Sequence, residues 1–157
     1  MRINALLYSD GSERSLSAAI YAAALMKGNP HVNLTIISLS QPVKGSAAAV
    51  WDEAWSVAGA VDGVSRQILR ETKKVFDDRE IKVKSVVVDG GDGVPERIVE
   101  YAQEGNFNLI IMGTKGPSDL KGLVLGSVAH RVVNLSDRPV LLVKKLPPEI
   151  LATLGEG

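Results

Sequence analysis

The stretch Leu109-Ile110-Ile111-Met112-Gly113-Thr114-Lys115-Gly116-Pro117-Ser118-Asp119-Leu120-Lys121-Gly122-Leu123-Val124-Leu125-Gly126-Ser127 decides the fold. Four consecutive apolar residues, Leu109 to Met112, stop at Gly113 and predict a short, fully buried strand. A loop of small residues follows and ends where Val128, Val132 and Leu135 take up helical spacing. Glycines let backbone N–H groups face outward with no Cβ in the way, and a helix N-terminus adds unpaired donors and a partial positive charge. Together these suit the holding of an anion, most simply a phosphate. The spacing Gly113-x2-Gly116-x9-Gly126-Ser127 is not a Walker A loop, which runs G-x4-G-K-S/T, nor the tighter G-x-G-x-x-G dinucleotide turn.

Working outward, the same alternation of buried strand and helix recurs along the chain. Ile3 to Tyr8 reads as a first strand, closed by the turn cluster Ser9-Asp10-Gly11-Ser12. Ser12 is a fair N-cap, with Glu13 in the first turn and Leu16, Ala19, Ile20 and Ala23 at helical spacing before Gly28. Asn33 to Leu39 is a second strand, which implies a parallel pair with a right-handed crossover. Ala47, Trp51, Ala54, Trp55 and Ala58 predict a short amphipathic helix, interrupted at Gly59 and Gly63. A separate helix from Val64 to Phe76 would turn Val64, Ile68 and Val75 inward and leave Arg66, Arg70, Lys73 and Lys74 as a solvated face. Ile81 to Val88 predicts a third strand, and Asp89-Gly90-Gly91-Asp92-Gly93 a mobile turn. Pro95 suits the first position of a helix carrying Ile98, Val99 and Ala102. Val140 to Val143 gives strand five, and Leu146 to Gly157 a tail. Strands alternating with helices argue for a three-layer α/β sandwich with a five-stranded parallel sheet, in one domain over residues 1–145. Ligands of such open sheets bind beyond the carboxyl ends of the strands, where the strand order reverses.

Composition narrows the chemistry. With 157 residues, 45% hydrophobic and 23% charged, the chain is that of an ordinary globular domain. Lys and Arg number 18, balanced by 18 Asp and Glu. No global field therefore draws it to nucleic acid or to an anionic membrane, and a nucleotide must be caught by a local site. The absence of cysteine excludes disulfides, thiol catalysis and cysteine-ligated zinc. His31 and His130 belong to no spaced ligand cluster. No apolar run is long enough to span a bilayer, and the expected location is the cytoplasm.

The glycine spacing resembles that of the universal stress protein family, whose ATP-binding members carry G-x2-G-x9-G-S/T after their fourth strand. The likeness extends to Leu6-Leu7-Tyr8-Ser9-Asp10-Gly11-Ser12, to the apolar second strand and to the closing Pro139 to Val143. It covers about residues 2–145. The resemblance implies a Rossmann-like sheet of order 3-2-1-4-5, an adenine nucleotide as ligand, and a role in stress response as a sensor or regulatory module. Carried over by position, Gly113, Gly116, Gly126 and Ser127 would contact the phosphates, with Val128 and Ala129 adding N–H donors. Met112 would close the strand beneath them, and Asp10 would lie near the nucleoside. Ser9 and Leu39 would border the adenine. Lys115 and Lys121 could screen phosphate charge. Pro117 removes one N–H donor from the loop, so AMP or ADP stands beside ATP, and Mg²⁺ or Mn²⁺ with the phosphates stays open. The family commonly dimerises through strand five, which implies a homodimer through Pro139 to Lys144.

Two other readings compete. A response-regulator-like receiver would use Asp10, Asp89 and Lys144-Lys145; it needs a second acid after strand one and leaves the glycine loop without a purpose. A slow ATP hydrolase could use the same pocket, but phosphoryl transfer works by metal and cation clamps with a positioned base. The sequence clearly offers one aspartate and exposed lysines, which favours binding over turnover. Trp51 and Trp55 are expected as core or interface anchors, with a lid over the pocket as a second role.

Overall fold

The computed structural model describes residues 1–40, 51–114 and 125–155, with the backbone alone over residues 51–62. The strands are β1 (Ile3–Tyr8), β2 (Val32–Ser40), β3 (Lys84–Asp89), β4 (Leu109–Gly113) and β5 (Val140–Val143). The helices are α1 (Glu13–Met26), α2 (Trp51–Asp77), α3 (Val94–Glu104), α4 (Ser127–Leu135) and α5 (Pro148–Gly155). All pairings are parallel and the order is β3-β2-β1-β4-β5. With β2 between β1 and β3, Asp89 ends an edge strand that is not a neighbour of Asp10, and the receiver reading fails.

Strand period two assigns each side chain to a layer. Ala5, Leu7, Leu34, Ile36, Ile111 and Val143 meet α1 and α2, whereas Leu6, Ile37, Leu39, Ile110 and Met112 meet α3 and α4. The inward stripe of α1 is Ala18, Ala19, Ala22 and Ala23, all essentially inaccessible, so its backbone lies close on the sheet. Ser12 caps this helix by accepting the Ser15 N–H at 3.2 Å.

Three expectations need correction. First, α2 is one helix and runs through Gly59 and Gly63. A Cβ at Gly63 would meet nothing within 4 Å, so that glycine sits on the open side, where its cost of about 1 kcal/mol is outweighed by packing elsewhere on the helix. Second, Val64 is 61% exposed; the inward stripe is Ser65, Leu69, Thr72 and Phe76. Two hydroxyl residues hold core positions that a count of apolar side chains passes over. Third, β3 begins only at Lys84, while Ile81 and Val83 still pack on the core from the approaching chain.

Two further segments prove more ordered than their composition suggests. The glycine turn after β3 is held by bonds from the Gly90 N–H to the Ser40 carbonyl (3.0 Å) and from the Gly91 N–H to Asp89 Oδ1 (3.0 Å). The tail forms α5 against α1, with the Leu146 N–H on Ser17 Oγ at 3.2 Å.

Candidate functional site

The chain leaves β1 toward α1 on one face and leaves β4 toward α4 on the other, so the switch point, where open sheets of this kind form their ligand crevice, lies between the two strand ends. The β1–β4 ladder closes at Leu7 with Ile111, while β4 continues to Gly113. On the other side β1 and β2 pair as far as Tyr8 with Ile37, and β2 continues to Ser40. Main-chain groups alternate in direction along a strand. The Ile110 and Thr114 N–H groups bond to β5 and the preceding Pro139, so those of Gly113 face the β1 side, above the last paired residues. By the same alternation, Ile37 accepts from the Ser9 N–H and Leu39 turns its main chain toward the crevice. The Leu39 carbonyl accepts from Ser65 Oγ at 3.3 Å, and its side chain is buried.

The β1–α1 corner is tightly organised. Asp10 Oδ1 accepts from the Ser12 N–H (2.9 Å) and from Ser15 Oγ (2.7 Å), which fixes the carboxylate at the start of α1. Oδ2 has no partner among the described residues. Gly11 takes φ +80°, a conformation that costs glycine little, and a Cβ there would lie 3.1 Å from Ile68 Cγ1 of α2. Ser9 is fully buried; its hydroxyl lies 2.8 Å from Thr72 Oγ1 and accepts the Gly11 N–H at 3.3 Å. Thr72 in turn donates to the Ile68 carbonyl at 2.8 Å, which leaves Ser9 as the donor of the pair. Beside this corner, burial pushes the Tyr8 phenol well above its ordinary range, and the Asp10 carboxylate adds to the shift.

A buried donor that loses its acceptor costs about 1–3 kcal/mol. Thr72→Val, which deprives Ser9 of its partner, is expected to lower stability by that amount in urea unfolding. Ser9→Ala in the Thr72→Val background should add little, and fully additive losses would show that the pair is not coupled.

Gly113 abuts α1. A Cβ there would lie 2.9 Å from both the carbonyl carbon and the Cβ of Arg14. The neighbouring Met112 side chain is buried in the α3/α4 layer. Thr114, also buried, donates its N–H to the Val143 carbonyl at 3.1 Å and accepts the Gly126 N–H at 2.7 Å. That second bond brings the start of α4 against the end of β4. Gly126 is the N-cap and supplies no side-chain acceptor; the first intrahelical bond is from the His130 N–H to the Gly126 carbonyl at 3.0 Å. The N–H groups of Ser127, Val128 and Ala129 therefore have no acceptor within the helix. Ser127 is exposed, Val128 half-buried and Ala129 buried.

Nine of the ten residues singled out from the sequence thus gather at the carboxyl ends of β2, β1 and β4. The tenth, Gly116, lies outside the described residues, as do Lys115, Pro117 and Lys121. The side chains of Trp51 and Trp55 are likewise not described. Among the described residues no group of three acidic or histidine side chains could hold a metal ion. Sequence reasoning passed over Thr72, Ser65 and Thr114; the only signal was a hydroxyl residue at a core or junction position.

A parallel sheet of order 3-2-1-4-5, with a helix start whose N-cap residue gives no side-chain cap beside its switch point, defines a doubly wound, Rossmann-like α/β domain. The chain belongs to the universal stress protein family, whose family model matches residues 1–144. Universal stress protein MJ0531 of Methanocaldococcus jannaschii is 31% identical over 140 residues, spanning 87% of this chain and 79% of that protein. Among solved structures, UspA from Lactobacillus plantarum superposes with a TM-score of 0.74 at 20% identity, covering 91% of this chain and 99% of that one. A universal stress protein solved in complex with cAMP gives a TM-score of 0.66 at 26% identity, covering 92% and 98%.

Proposed function

We propose that this chain binds an adenine nucleotide across the crevice and serves as a sensor or regulatory module of the stress response rather than as a fast enzyme. The observation that carries the reading is the start of α4. Three N–H donors without helical acceptors are held beside β4 by the Thr114–Gly126 bond, and among the described residues no side chain caps them. A helix N-terminus of this kind stabilises a phosphate. In this reading Ser127, Val128 and Ala129 hold the phosphate end, with Gly113 and Gly126 shaping the approach and Gly116 completing the loop. Asp10 Oδ2 accepts from the ribose. The base lies against the Leu39 side of the crevice, where Met112 and Ser9 support the wall from inside. The cAMP complex of a relative at 26% identity supports the adenine nucleotide as the ligand class. ATP, ADP and AMP all fit such a cradle, and a divalent cation would have to be held largely by the phosphates. The reading places the protein in the cytoplasm, with the nucleotide pool.

Calorimetric titration with ATP, ADP and AMP is the direct test. Saturable binding with a dissociation constant of about 1–100 μM supports the reading, and no heat with any of the three overturns it.

The same reading includes a homodimer through β5. This strand is the second edge of the sheet, with Val140, Leu141 and Leu142 only partly covered. Val133 and Leu135 of α4 are 42% and 40% exposed. An apolar edge invites pairing with another copy. Light scattering should give twice the chain mass at micromolar concentration, and a monomer would remove the dimer from the proposal.

A further inference from the structure

The opposite edge of the sheet, β3, is bordered on both faces by basic side chains. β3 pairs with β2 alone. On the inner side the Gly90 N–H donates to the Ser40 carbonyl, so the alternation of main-chain groups turns those of Ser85, Val87 and Asp89 outward. The Asp89 carbonyl accepts from Arg97 Nε at 3.1 Å, and the remaining outward groups have no partner among the described residues. Toward α2 a groove of about 290 Å³ is lined by Arg66, Leu69, Arg70, Lys73, Ser85 and Val87. On the α3 side a second groove, of about 510 Å³, has Lys82, Lys84, Asn33 and Thr35 on its walls.

Arg66, Arg70 and Lys73 lie four and then three residues apart and so share one stripe of α2. Lys73 is matched by Asp77 at 2.9 Å. Arg70 donates to the neutral amide of Gln67 and keeps its charge uncompensated. Arg66, Lys82 and Lys84 have no acidic partner among the described residues. The solvated face expected for α2 is thus, for Arg66 and Arg70, the wall of a groove beside the outer edge of β3, in a chain whose formal charge is zero.

We propose that the β3 edge docks an extended acidic segment of a partner protein by strand addition. Main-chain bonds to Ser85 and Val87 supply the pairing, and carboxylates along one face of the added strand enter the basic groove toward α2. On the opposite face Val86, 38% exposed, meets an apolar side chain of the added strand. Strand addition draws affinity from the main chain and specificity from side-chain pockets at a period of two. Basic residues on an edge also discourage self-pairing; the same charge that rejects a second β3 admits an acidic strand. A nucleic acid strand is a poorer match, because no aromatic side chain lines the α2 groove for bases to stack on.

The test uses the full chain and a fluorescein-labelled peptide of alternating glutamate and valine, followed by anisotropy. Controls are the same peptide N-methylated at alternate amides, a lysine-for-glutamate peptide, and an oligothymidylate. Saturable binding of the glutamate peptide is expected, weakened at least about tenfold by N-methylation and by the double substitution Arg66→Glu, Arg70→Glu. Both arginines are exposed, and an unchanged circular dichroism spectrum confirms that the double variant is folded. Amide exchange at Ser85 and Val87 should slow on binding. No binding, equal binding of the N-methylated peptide, or tighter binding of the oligothymidylate overturns the proposal.

Discussion

Gly126→Asp is expected to raise the stability of the protein slightly while abolishing its affinity for nucleotide. Gly126 has φ −69° and ψ 162°, extended backbone open to any residue, and it occupies an N-cap with no side-chain acceptor. Aspartate at that position accepts an N–H from the first turn and places its charge on the positive end of the helix. The gain should be about 0.5 kcal/mol, read as a small rise in the thermal midpoint. The same carboxylate occupies the donors that a phosphate would use and repels it. The dissociation constant for ATP should rise at least about 100-fold, equivalent to about 2.7 kcal/mol. The two signs are opposite, so simple unfolding cannot mimic the result. Unchanged affinity would place the phosphate elsewhere. Ser127→Ala is the graded companion and should cost about tenfold or less through the lost hydroxyl.

Gly113→Val is expected to lower stability by about 3 kcal/mol and Gly113→Ala by about 1–3 kcal/mol, measured as shifts of the urea midpoint at constant slope. The cause is contact rather than backbone strain: a Cβ at 2.9 Å from Arg14 backbone and Cβ atoms cannot be accommodated by a side-chain rotation, so α1 must move off the sheet. That displacement opposes the alanine stripe that holds α1 close. An alanine variant within about 0.5 kcal/mol of the parent would show that α1 moves aside freely. Gly113 belongs to the glycine pattern that suggested a phosphate loop, yet its first physical requirement is helix–sheet packing. Loss of nucleotide affinity in such variants must be judged against their stability.

The strands were readable because a parallel sheet covered on both faces demands continuous apolar runs, and Leu109 to Met112 or Val140 to Val143 satisfy nothing else so well. Sheet order came from the family resemblance and not from periodicity, since five apolar runs do not state which lie side by side. The inward face of α2 departs from the expectation at Val64 alone, while Ile68 and Val75 do turn toward the body of the protein, and it is completed by hydroxyl residues for a chemical reason. Ser65 and Thr72 point inward because their hydroxyls find the Leu39 carbonyl and the Ser9 hydroxyl, and partners so distant along the chain leave no local trace. Ser9 shows the same limit from the other side: its place in the turn was legible, but its commitment to α2 was not. The glycine spacing did locate the α4 start, because that signal depends on backbone donors and helix position, both local properties.

Thr114 joins two distant parts of the molecule through its own peptide groups, the amide to the last residue of β5 and the carbonyl to the residue that opens α4. The tip of that helix is therefore two hydrogen bonds away from the rim strand, across a single residue.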